Sequence, residues 1–254
     1  MLKKRIIPVQ LLLNGRLVKT KGFDSFRDVG DPVASSKVYS SQYADELVFL
    51  NISRENRTIE SLLSLIERVS EVCFMPLTFG GGIRSLRDAE QLIKNGADKI
   101  VLNSVSYEDS QVISQIADKF GSQAVVVSMD ARFDLKANRY RLYSQCGTKL
   151  EEPSIEDHVR KVIEHGAGEI FINSIDRDGM MTGYDLNLIR QVVGCSSVPV
   201  IACGGAGHYE HMKEAFLETK VSALACGSLF NFGDNNPIRA KAFLSNYELQ
   251  FKKV

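Results

Sequence analysis

The sequence lacks an excess of charge of either sign, because its 31 basic residues are balanced by 31 acidic ones. A chain without a basic excess has no electrostatic attraction for a polyanion, so we predict no nucleic-acid partner. It also lacks an apolar run long enough to cross a bilayer, and its basic start at Lys3–Arg5 leads directly into a strand pattern. We therefore expect a cytoplasmic protein without a signal peptide or a membrane partner.

Paired metal-binding spacings are absent as well. The five cysteines are odd in number and show no zinc spacing, which favours reduced thiols. His208 and His211 lie one helical turn apart and are a candidate metal pair, but the sequence near them offers no third ligand. We predict that these histidines occupy the solvated start of a helix and that the protein uses neither a metal nor a cofactor.

The chain does contain a repeated pattern of strand, glycine turn and helix. Two apolar runs end in clusters of glycine, and Gly81 in the first cluster is 123 residues from Gly204 in the second. The same interval separates Glu46 from Glu169, and each of these glutamates opens an apolar run. Several coincident matches at one interval indicate two fused copies of a half-domain.

Eight strand-like runs alternate with helical patterns. The runs are mostly apolar throughout, as expected for strands that are buried on both faces. They are Arg5–Leu13, Glu46–Ile52, Met75–Phe79, Lys99–Asn103, Ala124–Asp130, Glu169–Ser174, Val198–Cys203 and Ser222–Cys226. The helical patterns cover Ser61–Val72, Leu86–Asn95, Ser110–Phe120, Ile155–Glu164, Leu186–Val193 and His208–Glu218.

Eight strand–helix units with an internal repeat predict a closed (β/α)8 barrel. Residues 1–254 would form one barrel domain, with half-barrels of about 1–120 and 121–254. An open doubly wound sheet is the alternative, but matched halves give such a sheet no advantage. Two long loops, Asn14–Asp31 and Ala131–Glu152, follow the carboxyl ends of strands, where we expect mobile lids over a site.

The glycine clusters predict two phosphate-binding loops. Backbone N–H groups of a glycine turn, together with a polar side chain, suit phosphate oxygens, and such loops recur after the last strands of barrels. A ligand with a phosphate at each end would occupy both loops. The alternative is that one or both are relics of the duplication, and the first loop is the weaker candidate. The first comprises Gly81, Gly82, Asn103 and Ser104, and the second Asp178, Gly179, Gly204, Gly205, Gly227 and Ser228.

Asp130 ends the fifth strand run, and we predict that it projects into the top of the barrel as a general acid or base. The internal repeat places Leu11 at the corresponding position of the first strand. Leucine cannot transfer a proton. A reaction that needs two facing carboxylates therefore lacks one of them in this chain.

Four charged residues open four of the strand runs, and their side chains are predicted to meet at the amino-terminal mouth of the barrel. They alternate in sign, so each would neutralise its neighbours. Two interpretations remain open: a salt-bridge plug that stabilises the barrel floor, and a gate for a small polar molecule. The four residues are Arg5, Glu46, Lys99 and Glu169.

Ten motifs cover nearly the whole chain in order. They are Arg5–Pro8, Gly15–Lys19, Gly30–Pro32, Asp45–Leu50, Gly80–Arg84, Gly96–Lys99, Gly121–Gln123, Ile175–Gly179, Gly183–Asp185 and Gly204–Gly207. Together they resemble the cyclase subunit of imidazole glycerol phosphate synthase. The resemblance implies a barrel that docks a class I glutaminase on its amino-terminal face. Ammonia would pass through the charged ring to the carboxyl-terminal face and react there with a phosphorylated ribulosyl nucleotide.

The resemblance also implies roles for single residues. Asp98 would contact the glutaminase, while Lys19 and Asp130 would act on the substrate as catalytic residues. The other catalytic aspartate of that family corresponds to Leu11 here. Further departures lie at the same end of the barrel, where aspartate, threonine and serine are replaced by Asn51, Asn173 and Cys203.

A second set of motifs is similar to the cyclase-like, glycosyl amidation-associated proteins of surface-polysaccharide and glycan gene clusters. These motifs are Pro8–Leu13, Leu17–Thr20, Cys73–Pro76 and Cys226–Phe230. That resemblance implies a barrel that conducts ammonia to an N-acetyl sugar amidotransferase in glycan or lipopolysaccharide biosynthesis. The alternative is the cyclase of histidine biosynthesis. A sugar-phosphate binding module that uses only the phosphate loops is a non-enzymatic rival.

Overall fold

The apolar strand runs form a barrel in the computed structural model, which describes residues 3–54 and 58–252. In the described residues the strands are β1 (Arg5–Leu13), β2 (Arg16–Thr20), β3 (Phe26–Gly30), β4 (Leu47–Asn51), β5 (Leu77–Gly80), β6 (Lys99–Leu102), β7 (Val125–Asp134), β8 (Arg139–Ser144), β9 (Lys149–Leu150), β10 (Glu169–Ser174), β11 (Val200–Cys203) and β12 (Ala223–Cys226).

The helices of the same residues surround these strands. They are α1 (Pro32–Ser41), α2 (Glu60–Ser70), α3 (Leu86–Lys94), α4 (Ser104–Glu108), α5 (Gln111–Phe120), α6 (Ile155–Glu164), α7 (Leu186–Cys195), α8 (Tyr209–Thr219), α9 (Ser228–Asn231) and α10 (Pro237–Ser245). None of the described helices is long and apolar enough to cross a membrane.

Eight strands run parallel and close on themselves. Around the ring the order is β1, β4, β5, β6, β7, β10, β11 and β12, and β12 pairs in parallel with β1. Closure depends on the pairing of β7 with β10, in which Glu169 lies opposite Val126. The predicted (β/α)8 barrel is confirmed. All its strands point the same way, so their carboxyl ends share one face.

The barrel has two apolar layers because strand side chains alternate between its inside and its outside. The outer layer fills the space between strands and helices. It includes Phe49 and Phe79, whose rings stack with centroids 4.9 Å apart. The inner layer fills the barrel axis and consists of Ile7, Val9, Val48, Val101, Val126, Phe171, Ile201, Ala223 and Ala225. The barrel is thus a packed core rather than an open pore.

The two long connections differ from the expected loops. β2 and β3 form an antiparallel hairpin on the extension of β1, and β8 pairs with β7 in the same way. Both extensions contact the segment that follows β4, above the carboxyl-terminal face. There the Cys146 thiol donates to the Ile52 carbonyl at 3.6 Å, and the Arg54 guanidinium donates to the Phe23 carbonyl at 3.1 Å.

Two helices that the apolar periodicity did not predict share a local start signal. In α1 the Asp31 carboxylate accepts from the N–H groups of Val33 and Ala34, and Pro32 occupies the first turn. In α10 the Asn236 side chain caps the helix and is followed by Pro237. A capping side chain followed by proline is a common start of a helix, so Asp31–Pro32 and Asn236–Pro237 could have predicted these two helices from the sequence.

We expect Gly194→Ala to raise the free energy of unfolding by about 0.5–1 kcal/mol, because alanine reduces the entropy of the unfolded chain at a helical position. Gly194 is exposed in α7, and an added Cβ would meet nothing within 4 Å. Gly168→Ala is the matched control and should destabilise, because its Cβ would overlap the Ser122 carbonyl. Urea unfolding measures both, and a lower midpoint for Gly194→Ala would contradict the expectation.

Candidate functional site

The four charged residues at the amino-terminal mouth form a closed ring of ion pairs. Arg5 lies 3.0 Å from Glu46 and 2.9 Å from Glu169. The Lys99 ammonium lies 2.8 Å from Glu46 and 3.1 Å from Glu169. Glu46 is only 2% exposed and also accepts from the Thr78 hydroxyl at 2.6 Å. Each charge is therefore paired with two opposite charges, which offsets the cost of holding them out of water.

Beyond the ring, the inner apolar layer separates the mouth from a cavity at the opposite end. Phe171 and Val126 lie in this layer and are fully buried. An apolar interior of this kind admits a small neutral molecule far more readily than an ion, because the ion would lose its hydration without gaining a partner.

A cavity of about 800 Å³ opens at the carboxyl-terminal face. It brings together Lys19, Asp130 and every residue of the two predicted phosphate loops. The ring residues and Asp98 lie outside it, at the other end of the strands. The predicted residues thus divide into two sites, one at each end of the barrel.

Asp130 is the most strongly perturbed carboxyl group of the cavity. It is 8% exposed, and burial raises the pKa of its side chain to about 7. The Asn103 amide donates to this carboxylate at 3.1 Å, which acts in the opposite direction. A carboxyl group that titrates near neutrality can both donate and accept a proton in a working cell.

Lys19 comes from the β2–β3 hairpin and extends into the cavity wall. Its ammonium donates to the Val9 carbonyl at 2.5 Å, and burial lowers its pKa to about 8. The cavity glycine Gly227 allows this approach, because a Cβ there would lie 2.7 Å from the Lys19 nitrogen. Lys19 therefore lies between the second phosphate loop and the interior of the barrel.

Apart from Gly227, the glycines of the predicted phosphate loops have positive φ values, which favour glycine. Gly81 and Gly204 have φ values of +98° and +96°, and a Cβ on Gly204 would lie 2.8 Å from the Ser174 carbonyl oxygen. In the first loop both polar side chains are already engaged. Asn103 binds Asp130, and the Ser104 hydroxyl accepts from the Gln145 N–H at 3.2 Å.

Asp178 has contacts that the sequence did not indicate. Its carboxylate accepts from the Thr20 hydroxyl at 2.6 Å and from the Phe23 N–H at 3.2 Å. Burial raises its pKa, and Lys19 lowers it. Asp178 therefore fastens the β2–β3 hairpin to the edge of the cavity, a contact between residues 158 positions apart that no local motif records.

Leu11 lies on the cavity wall and, like Leu50 and Cys203, packs against the inner apolar layer. It pairs with Leu50 across β1 and β4. Of the carboxylates among the described cavity residues, Asp24 and Glu108 are exposed and Asp178 holds the hairpin. None of these three carboxylates replaces the one that Leu11 lacks.

The thiols and histidines do not form a reactive group. None of the five cysteines forms a disulfide, and burial raises the pKa of the cavity thiol Cys203 to about 12. The rings of His208 and His211 lie 5.4 Å apart, and His211 accepts from the Gly207 N–H. Among residues 3–54 and 58–252, no three histidine, cysteine or acidic side chains are grouped as a metal site.

The sequence did not predict a stacked aromatic pair that lies beside the cavity. The rings of Tyr107 and His158 stack with centroids 4.0 Å apart, and His158 lies 3.2 Å from the Ser106 hydroxyl. Burial lowers the pKa of His158 to about 4, so its ring is neutral near pH 7. The pair lies between α4 and α6 and supports the loop that carries Asn103.

The family model and the similar proteins all point to the same family. A family model described as histidine biosynthesis protein matches residues 5–236. The chain is 42% identical over 246 residues to the imidazole glycerol phosphate synthase subunit HisF of Caulobacter vibrioides (strain NA1000 / CB15N), which covers 97% of this chain and 95% of the relative. It is 39% identical over 253 residues to the protein of the same name from Alkaliphilus metalliredigens, with 100% of both chains covered. The HisF subunit of Staphylococcus carnosus is 39% identical over 246 residues, with 97% of both chains covered.

These names agree with the first resemblance found in the sequence. All three describe a subunit of imidazole glycerol phosphate synthase, and none refers to glycan or lipopolysaccharide biosynthesis. The comparisons therefore favour the histidine-pathway alternative over the glycan specialisation.

Asp130→Asn should stabilise the protein, and more at pH 8 than at pH 5. The pKa of this carboxyl is about 7 in the folded chain against an ordinary 3.8, so the native state binds the proton more tightly. The stability that this provides is present at low pH and is lost as the pH rises through 7, by on the order of 2–4 kcal/mol. Melting temperatures at the two pH values measure the difference.

The control is Asp28→Asn on the exposed β2–β3 hairpin. The hydrogen bond from Arg16 lowers the pKa of Asp28, so removing this carboxylate should not stabilise the protein at pH 8. A melting-temperature change for Asp130→Asn that is equal at both pH values would contradict the raised pKa.

Proposed function

The chain belongs to the family of histidine biosynthesis proteins, and on that premise we propose that it is the barrel subunit of a glutamine-dependent synthase. In this role it conducts ammonia from its amino-terminal face to the cavity at its carboxyl-terminal face. The observation that carries the proposal is the placement of a neutral ring of charges, an apolar interior and a reaction cavity in line along one barrel.

The ring supports a gate because it can open without leaving a buried carboxylate unpaired. Arg5 and Lys99 each contact both Glu46 and Glu169. When the flexible Lys99 side chain swings aside, Arg5 still pairs both glutamates. The opening then avoids the several kcal/mol that an unpaired buried charge costs. The apolar layer behind the ring favours ammonia over ammonium, so nitrogen would travel in its nucleophilic form.

The source of ammonia in this proposal is a class I glutaminase docked on the amino-terminal face. The two thiols that line the cavity are not activated for glutamine hydrolysis, because burial raises the pKa of both Cys203 and Cys226. Asp98 is exposed beside the ring, and one of its carboxylate oxygens accepts from the Leu77 N–H at 2.8 Å. The other oxygen would bind a donor on the glutaminase, so Asp98→Lys should prevent docking.

The cavity would hold a ligand that carries a phosphate at one or both ends. The second loop is the stronger phosphate candidate, because Lys19 lies against Gly227 and adds positive charge there. The first loop shares Asn103 with Asp130, so a phosphate at that loop would compete for the amide that orients the carboxylate.

Two reactions at the cavity remain candidates. The names of the relatives favour the cyclase reaction of imidazole glycerol phosphate synthase, with Asp130 as acid–base and Lys19 beside the substrate. Leu11 favours the second candidate, in which the barrel only delivers ammonia to a separate acceptor enzyme such as an N-acetyl sugar amidotransferase. Gln10 and Asn14 flank this position and hydrogen-bond, but neither exchanges a proton near neutral pH.

Complementation decides between the candidates. The gene is placed in a strain that lacks the histidine-pathway cyclase, and growth without histidine supports the cyclase. Absence of growth, with the protein present and folded, supports delivery to another enzyme.

Leu11→Asp is expected to raise cyclisation with added ammonium salts by about a hundred-fold or more, because it restores a second acid–base group facing Asp130. Leu13→Asp is the matched control, since Leu13 also lines the cavity on β1. The measurement is product formation from the phosphorylated ribulosyl nucleotide. Equal rates for Leu11→Asp and Leu13→Asp would show that the missing carboxylate does not limit the reaction.

In the complex with a glutaminase, Arg5→Ala should let ammonia leak to solvent at the mouth of the barrel. Removal of Arg5 leaves Lys99 alone to neutralise two glutamates, so the ring loosens and ammonia escapes to solvent. We expect more free ammonia per glutamate formed than in the wild type. Lys94→Ala is the control, since its partner Glu90 lies on the surface of α3. A ratio unchanged by Arg5→Ala would favour the salt-bridge plug instead.

A further inference from the structure

The amino-terminal face carries two large side chains that the fold leaves in water. Phe74 is 89% exposed, the most exposed large apolar residue described, and Tyr43 is 52% exposed. Both lie in connections from a helix to the next strand, Tyr43 before β4 and Phe74 before β5. These strands are neighbours in the barrel, so the two aromatic residues occupy adjacent loops on one side of the mouth.

The backbone around both residues is held firmly. Cys73, next to Phe74, is buried, and the Pro76 carbonyl accepts from the Leu47 N–H at 3.0 Å. The Tyr43 carbonyl accepts from the Lys241 ammonium at 2.7 Å. The aromatic side chains are therefore presented on a fixed frame, which keeps the entropy cost of binding low.

Three of the other loops on this face are polar, although Tyr247 after α10 is also 36% exposed. The loops before β7, β11 and β12 expose Ser122, Gln123, Ser197 and Lys220, and no large apolar side chain is exposed in them. Asp98 lies in the loop before β6, next around the barrel from the loop of Phe74. Aromatic side chains beside a charged group are typical of interface hot spots, whereas an isolated polar rim contributes little.

We propose that Phe74 and Tyr43 anchor the ammonia-releasing glutaminase on the β4–β6 side of the mouth, with Asp98 as the charged neighbour. This inference rests on the proposed function. The choice of a glutaminase follows from the position, because Phe74 precedes β5, which lies between β4 after Glu46 and β6 with Lys99. In the proposed function, the partner at this mouth is the one that supplies its ammonia. The glutaminase should carry an apolar pocket for Phe74 and a cation facing Asp98.

Titration calorimetry of the full-length barrel against a class I glutaminase subunit of the same organism tests the proposal. We expect Phe74→Ala to weaken binding by about thirty-fold or more. Tyr43→Asn should weaken it less, and asparagine suits the left-handed backbone at this position, where φ is +53°. Leu135→Ala is the matched control: Leu135 is 86% exposed in the β7–β8 connection at the opposite face and should leave binding unchanged.

The outcomes separate this inference from the proposed function. If the wild type binds no glutaminase, the proposed function fails and the anchor fails with it. If the wild type binds and Asp98→Lys prevents binding while Phe74→Ala and Phe74→Asp do not weaken it, the anchor alone is overturned. If light scattering shows a dimer that Phe74→Asp dissociates, the occupant is a second copy and the proposal is wrong. Equal melting temperatures of the variants exclude a folding defect.

Discussion

The rule that a buried charge needs a partner governs the amino-terminal end of this barrel. Glu46 is almost inaccessible to water, and it is tolerable there because Arg5, Lys99 and the Thr78 hydroxyl all contact it. The ring has no net charge, so the apolar layer behind it is not exposed to an uncompensated field. Because Arg5 and Lys99 each contact both glutamates, a stabilising role for the ring is compatible with the proposed gate.

At the carboxyl-terminal end, burial shifts the pKa values of charged groups that lack full pairing. There the charged groups are only partly compensated, and their pKa values move toward neutrality from both directions. Burial raises the pKa of Asp130 to about 7 and lowers that of Lys19 to about 8. Both side chains are thus able to exchange protons at the pH of a cell. Burial therefore acts on the charged groups at both ends, and the difference is that each ring charge has two partners of opposite charge.

Much of this arrangement was readable from the sequence. The apolar runs predicted the eight barrel strands, and the interval of 123 residues placed Glu46 and Glu169 at equivalent positions. What escaped prediction depends on contacts between distant segments. The sequence of the β2–β3 hairpin suggests only a glycine-containing loop. Its strands form because β2 pairs with β1 and because Thr20 binds the distant Asp178. The exposure of Phe74 was not predictable either, because the sequence of a helix-to-strand connection does not show whether the fold will bury a phenylalanine there.

The cavity residue Leu11 and the ring at the mouth are separated along the barrel and do not share contacts. Leu11 contacts its neighbours through apolar packing at the carboxyl-terminal edge, and the ring side chains contact one another and Thr78. Between them lies a layer of nine buried apolar residues that carries no hydrogen-bond network from one end to the other. A substitution at Leu11 would therefore act on the cavity without altering the charge balance of the mouth. In a barrel built in this way, the side-chain contacts at one end do not depend on the identity of the residues at the other.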